Sequence, residues 1–165
     1  MKVLSFALLI IILMGVLGQI KSQSTNNATA EEVVVKVRKA AEHLSRYGKD
    51  GLKKLRDKDS EFSWKDTYVF VVNCDTDEVM ANPAFPERVG GDIKKHTDYD
   101  GKQYGIELCQ SASLEGTWIE YVWLKPGGDQ PLRKISYVMS VEGQPYQVGA
   151  GIYDDDVTLE ELNNQ

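Results

Sequence analysis

The sequence predicts an α+β domain, and three observations predict it. An apolar stripe at helical spacing opens the domain, a strand pair follows it, and three strand-like runs close the chain. The closing runs are 116–126 (Gly-Thr-Trp-Ile-Glu-Tyr-Val-Trp-Leu-Lys-Pro), 133–139 (Arg-Lys-Ile-Ser-Tyr-Val-Met) and 145–153 (Pro-Tyr-Gln-Val-Gly-Ala-Gly-Ile-Tyr). A meander of this kind lays aromatic side chains on a curved antiparallel sheet with little catalytic equipment. It favours holding a small molecule over transforming one.

The helix is expected from Ala30 onward, because Val33, Val37, Ala40, Ala41 and Leu44 recur at three and four with charged residues between them. Thr29 with Glu32 three residues later reads as a capping box. Gly48 and Gly51 each cost roughly 1 kcal/mol in a helix interior, so a bend or break is expected around them. The run 67–73 (Thr-Tyr-Val-Phe-Val-Val-Asn) is β-branched and aromatic and reads as a buried strand. A turn at Asp75, Thr76 and Asp77 returns it through Glu78 to Ala81. Asn82-Pro83 and Phe85-Pro86 force an extended path, since a residue before proline avoids the α region. Further loop signals run from Gly90 to Gly101, and a second helix is expected over about Lys102 to Leu114. Asp154, Asp155 and Asp156 end the last strand before a short helix carrying Leu159 and Leu162. No internal repeat is present.

The chain has 165 residues, room for one domain and one sizeable core. Met1-Lys2, an apolar run from Val3 to Leu17 and small residues around Gly18 read as a secretory signal peptide over 1–18, with an uncleaved anchor as the alternative. The polar stretch 19–29 reads as a linker and 30–165 as the folded domain, displayed outside the cytoplasm as a periplasmic or secreted protein. Formal net charge is -6, and loss of Lys2 with the leader would leave one more net negative charge. No stripe of Lys and Arg is present, which argues against nucleic acid and anionic membranes as partners. Cys74 and Cys109 lie 35 apart. Export would permit a disulfide between them, joining a strand end to a helix; the alternative is two small buried thiols.

Taken together, 68–73 (Tyr-Val-Phe-Val-Val-Asn), 79–83 (Val-Met-Ala-Asn-Pro), Val89-Gly90, 98–102 (Asp-Tyr-Asp-Gly-Lys), 116–123, 134–137 (Lys-Ile-Ser-Tyr) and 149–153 (Gly-Ala-Gly-Ile-Tyr) resemble the single Cache domain family over about 31–155. The resemblance implies a PAS-like antiparallel sheet of five or six strands on a long N-terminal helix. It also implies an extracytoplasmic sensor module that binds small molecules, often short organic acids. The sequence departs from the family at Asn82, where an Ala-His-Pro triplet is common. Asn keeps hydrogen-bonding capacity but does not titrate near neutral pH.

Under this resemblance a pocket is expected beneath the 82–85 loop. Alternation places Ile119, Tyr121 and Trp123 on one face of their strand and Trp118, Glu120 and Val122 on the other. Phe70 and Tyr121 are expected as walls, Trp123 as a wall or lid, Asn82 and Phe85 as loop contacts, and Lys134 and Tyr137 as polar contacts. Alternation conflicts with the last pair, since it puts Arg133, Ile135 and Tyr137 opposite Lys134 and Ser136 unless a bulge intervenes. Gly149 and Gly151 share a face of the last strand, where helix packing is the more frequent reason for a missing side chain and ligand room the other.

Competing chemistry is thinner. His96, Asp98, Asp100, Gly101 and Glu107 follow part of a calcium-loop spacing, but His stands in the first position and no helix enters the loop. Neither His43 nor His96 is paired by any motif with a Ser or Cys nucleophile, and no zinc or phosphate-loop spacing occurs. The expectation is therefore an exported, freestanding, non-enzymatic binding module that takes a small metabolite without cofactor or metal. Two others stand beside it: an interaction or dimerisation module serving a membrane receptor through its long helix, and a hydrolase working through carboxylates alone.

Overall fold

The computed structural model describes residues 26–164; the leader reading lies outside them. Helix α1 spans Ala30–Arg56, and the capping box forms as expected: the Thr29 side chain accepts from the Glu32 amide and the Glu32 carboxylate accepts from the Thr29 amide. At Gly48 the backbone turns to φ 52 and ψ -133, so the helix bends where the two glycines were expected to break it. Val33, Val37, Ala40, Ala41, Leu44, Leu52 and Leu55 form its buried stripe.

Five strands build the main sheet: β3 (Phe70–Asn73), β4 (Glu78–Ala81), β5 (Thr117–Leu124), β6 (Pro131–Ser140) and β7 (Tyr146–Ile152), in the order β4-β3-β7-β6-β5. Every pairing is antiparallel. Beside it, β1 (Ser63–Trp64) and β2 (Thr67–Tyr68) form a two-stranded ribbon. The single strand expected over 67–73 is thus split at Val69, whose amide donates to the Phe62 carbonyl instead of joining the sheet. Helix α2 (Tyr104–Ser111) and α3 (Leu159–Asn163) complete the α+β, PAS-like arrangement.

The sheet has two buried faces. Val69, Val71, Ile135, Tyr137, Tyr146, Val148, Ala150 and Ile152 pack against α1 in the larger cluster. Phe70, Val72, Val79, Ile119, Tyr121, Trp123 and Val138 face the other way, against Tyr68, Ile93, Tyr104 and Leu108. Strict alternation along β5, β6 and β7 separates the two sets without a bulge, since Tyr121 stands opposite Lys134 and Tyr137 opposite Ala150. Cys74, just after β3, and Cys109, on α2, form a disulfide, so the strand-end-to-helix alternative is the one realised.

Gly149 and Gly151 lie on the face away from α1, which corrects the expectation that helix packing explains them. A Cβ on Gly149 would stand 2.5 Å from Phe70 Cζ and 2.9 Å from Val138 Cγ1. One on Gly151 would meet Ser136 Oγ at 2.5 Å, the Ile135 carbonyl at 2.7 Å and Lys134 Cε at 2.8 Å. The missing side chains let the Phe70 ring and the Lys134 stem lie flat on β7.

Candidate functional site

On that second face, Tyr68, Phe70, Val72, Val79, Asn82, Arg88, Ile93, His96, Tyr104, Leu108, Tyr121 and Trp123 enclose a cavity of about 30 Å³. The sheet supplies its floor through β3, β4 and β5. Its cover is the connection from β4 to α2, which carries the 3-10 turns Pro86–Arg88 and Ile93–Lys95. Asn82 holds the start of this cover by accepting the Phe85 amide on Oδ1 at 3.0 Å. Asp98 ties its end to β5, accepting the Val122 amide at 2.9 Å on one oxygen and the Asp100 and Lys102 amides at 2.9 and 2.8 Å on the other.

The aromatic rings interlock. Tyr104 stacks on Tyr121 with centroids 4.5 Å apart and planes 17° from parallel, while Trp123 leans on both at 5.2 and 6.1 Å. The Tyr121 hydroxyl and Ser136 Oγ hydrogen-bond at 3.0 Å. The Tyr68 hydroxyl sits beside Trp123 and Asn82. Burial pushes the Tyr68 and Tyr121 phenols well above the usual range and Tyr104 up to about 12, so all three keep their protons as potential donors at neutral pH.

Charge in the lining is one-sided. Arg88 lays its guanidinium 4.3 Å from the Trp123 ring centroid, and among the described residues it has no carboxylate partner. His96 lines the same cavity with a buried Nδ1 that has no hydrogen-bond partner. Its pKa is lowered, by burial first and by the Arg88 charge second, against the opposing pull of Asp92. Among the described residues, no Asp, Glu, Ser or Cys lines the cavity. The lining thus sets one cation, an imidazole and phenol hydroxyls beside apolar side chains.

Of the residues expected at the site, Phe70, Asn82, Tyr121 and Trp123 line the cavity. Phe85 stands one ring further out, edge-on to Tyr68 and Trp123 at 5.9 and 6.2 Å. Lys134 lies behind the wall, fully buried, its Nζ 4.3 Å from the Tyr68 centroid and 5.8 Å from that of Phe70. Tyr137 is elsewhere: it packs on Trp118 at 5.3 Å on the α1 face and donates its hydroxyl hydrogen bond to the Glu115 carbonyl. Its expected role as a ligand contact is corrected by the alternation that separates it from Lys134.

The sequence reading missed the polar lining residues Arg88, His96, Tyr68 and Tyr104 and the apolar ones Val72, Val79, Ile93 and Leu108. Tyr68 is two before Phe70 and Phe70 two before Val72, so period-two alternation carries all three onto one face. Tyr104 and Leu108 form an i, i+4 pair that faces the sheet together. Arg88 and His96 sit in irregular backbone, where no period announces which way a side chain turns. The calcium-loop spacing is otherwise employed, with Asp98 engaged by backbone amides and Glu107 paired with Lys102 at 2.6 Å. No group of three or more metal-ligating side chains occurs among the described residues.

The fold is an antiparallel sheet backed by a long helix, with an aromatic cavity between the sheet and the β4–α2 connection, a PAS-like architecture. A family model described as a Cache domain matches residues 24–158, and the chain belongs to that family. It is 36% identical over 93 residues to the sensor histidine kinase MctS of Rhizobium johnstonii, covering 56% of this chain and 20% of that one. It is 29% identical over 92 residues to the methyl-accepting chemotaxis protein McpP of Pseudomonas putida, covering 55% of this chain and 17% of that one. The chain thus spans about a fifth of the length of these relatives.

Among solved structures, it resembles one described as the structural basis for carboxylic acid recognition by a Cache chemosensory domain. The TM-score is 0.64 at 23% identity over 76% of this chain and 92% of that one. A methyl-accepting chemotaxis protein from Vibrio parahaemolyticus gives a TM-score of 0.61 at 16% identity over 78% and 90%. These likenesses show a shared fold. As a Cache domain, the chain belongs to a family of ligand-sensing modules, and the relatives it matches are a sensor kinase and a chemotaxis receptor.

Proposed function

We propose that the domain binds a short-chain carboxylate without covalent chemistry, as the sensing part of an extracytoplasmic system. One observation carries the reading: among the described residues Arg88 has no carboxylate partner and lines an aromatic cavity that no acidic side chain lines. An anion entering there gains a charge-assisted hydrogen bond in a desolvated setting, while Asp92 and Asp98, whose charges reach His96 and Tyr104, stand outside the lining. His96 and the Tyr68 and Tyr104 hydroxyls supply further donors, while Phe70, Val72, Val79 and Leu108 receive the alkyl part. At about 30 Å³ the cavity has room for about two water-sized groups, which restricts the ligand to the smallest acids.

The similar structure whose description names carboxylic acid recognition supports the ligand class. The apolar run from Val3 to Leu17 supports display outside the cytoplasm, and 30–165 is the unit proposed to fold and bind. The domain does not transform its ligand, and it passes occupancy to a membrane receptor or to a partner copy. Thermal shift against short acids, their amides, amines and amino acids tests the reading. A ligand at a hundred times its dissociation constant adds about 2.7 kcal/mol of stability. Stabilisation by acids alone is expected; stabilisation by amines, or by no member of the panel, would reject the ligand class.

A further inference from the structure

The amine of Lys134 is the most unusual group in the domain that the binding reading leaves unused. It projects from the middle of β6, is 0% exposed, and its Nζ makes no hydrogen bond among the described residues. Instead it is surrounded by rings, with the Tyr68, Tyr153 and Phe70 centroids 4.3, 5.3 and 5.8 Å away. Tyr68 and Phe70 belong to the cavity wall as well, so the same two rings separate the amine from whatever the cavity holds.

We propose that Lys134 is a proton-coupled positioning residue: a carboxylate bound in the cavity draws one solvent proton onto Lys134, and the resulting ammonium strengthens the anion's hold from behind the Tyr68 and Phe70 rings. The inference rests on the carboxylate reading above. In the step, the Nζ lone pair takes up one proton and no other bond changes.

The surroundings explain why the ligand has to supply the missing negative charge. From the β1–β2 turn, Asp66 is the acid that favours the charged amine. It is already engaged by Lys125 at 2.9 Å and by the Ala28 amide at 2.8 Å. The phenols that face the amine from the other elements, Tyr68 on β2, Tyr121 on β5 and Tyr153 after β7, are all held neutral by burial. Desolvation accordingly lowers the Lys134 pKa to about 7, with Asp66 opposing. Near neutral pH the amine is divided between its two forms, which is the condition under which a nearby anion moves a proton. Gly151 makes the placement possible by leaving room for Lys134 Cε against β7.

Calorimetric titration of the full chain with propionate tests the coupling, performed in buffers of differing ionisation enthalpy and repeated across pH. Wild type is expected to take up about half a proton or more per propionate near pH 7.5, and to bind about tenfold more weakly at pH 8.5 than at pH 6.5. In Lys134→Met the affinity is expected to be low and flat over that range, whereas His96→Gln is expected to retain the slope. The wild-type proton count needs no variant, so the outcome does not depend on how well Lys134→Met folds. Binding without proton uptake, or a slope that survives in Lys134→Met, overturns the coupling while leaving the carboxylate reading intact. Absence of propionate binding at every pH overturns both.

Discussion

The Arg88 guanidinium lies 4.3 Å from the centroid of the Trp123 ring, joining the 3-10 turn after β4 to the far half of β5 in the lining of the cavity. The ring supports the cation, and no side-chain hydrogen bond or ion pair of the described residues engages its N–H groups. Removing the cation removes the charge-assisted contact. Arg88→Ala is expected to cost about 1.5–3 kcal/mol in carboxylate affinity, roughly ten- to a hundredfold, with the fold retained. Isothermal titration read beside the far-ultraviolet circular dichroism of the variant checks it.

Tyr137 offers the matching control. Its hydroxyl donates to the Glu115 carbonyl on the α1 side of the sheet. Tyr137→Phe is expected to lower stability by about 1 kcal/mol and leave carboxylate affinity within about twofold of wild type. Denaturant unfolding and titration of one preparation measure both; a large loss of affinity would place the site on the wrong face.

The disulfide between Cys74 and Cys109 fastens α2 to the end of β3, and α2 carries Tyr104 and Leu108 into the cavity wall. The bridge spans 35 residues, so reduction is expected to cost about 2–4 kcal/mol of stability in the chain-entropy account. Carboxylate affinity should fall with it, because the Tyr104 wall loses its tether. Thermal unfolding with and without a reductant, followed by titration of the reduced protein, reads the two effects separately.

Lys134 makes a prediction about the ligand-free protein as well. Its folded pKa of about 7 lies below the ordinary 10.5, so between those values the unfolded chain binds the proton that the folded chain has released. Stability contributed by this residue therefore rises with pH across that window and is lost as pH falls toward 7. Lys134→Met is expected to flatten this part of the stability profile, as measured by urea unfolding at several pH values.

Gly149→Ala would bring a methyl to 2.5 Å from Phe70 Cζ, and something must shift. The expected cost is about 1–3 kcal/mol of stability, with a loss of carboxylate affinity as the Phe70 ring is pushed toward the cavity. Chemical denaturation and titration check it; a neutral result would show that the ring yields without strain.

Much of this was legible in the sequence, for physical reasons that differ by residue. The start of α1 is written in Thr29 and Glu32, because a capping box satisfies backbone donors locally. The walls at Phe70, Tyr121 and Trp123 follow from strand alternation, a purely local period. That same alternation already separated Lys134 from Tyr137, and the sheet register keeps them apart, Lys134 behind the cavity wall and Tyr137 on the α1 face. Arg88 and His96 were not legible, since their directions are set by two 3-10 turns packed over the sheet. Nor was the reason for Gly149 and Gly151, which depends on Phe70 of β3 and Lys134 of β6 meeting β7 in three dimensions. Cys74 and Cys109 were compatible with two states, and only the approach of α2 to the end of β3 selects the bridged one.

The central claim is that the cavity selects a carboxylate by its charge. Titration of the domain with propionate and with propionamide, which share shape and size and differ in charge, measures that selection most directly. The account predicts saturable binding of the acid at least about tenfold tighter than that of the amide, with the difference lost in Arg88→Ala. Equal binding of acid and amide by the wild-type protein would contradict it.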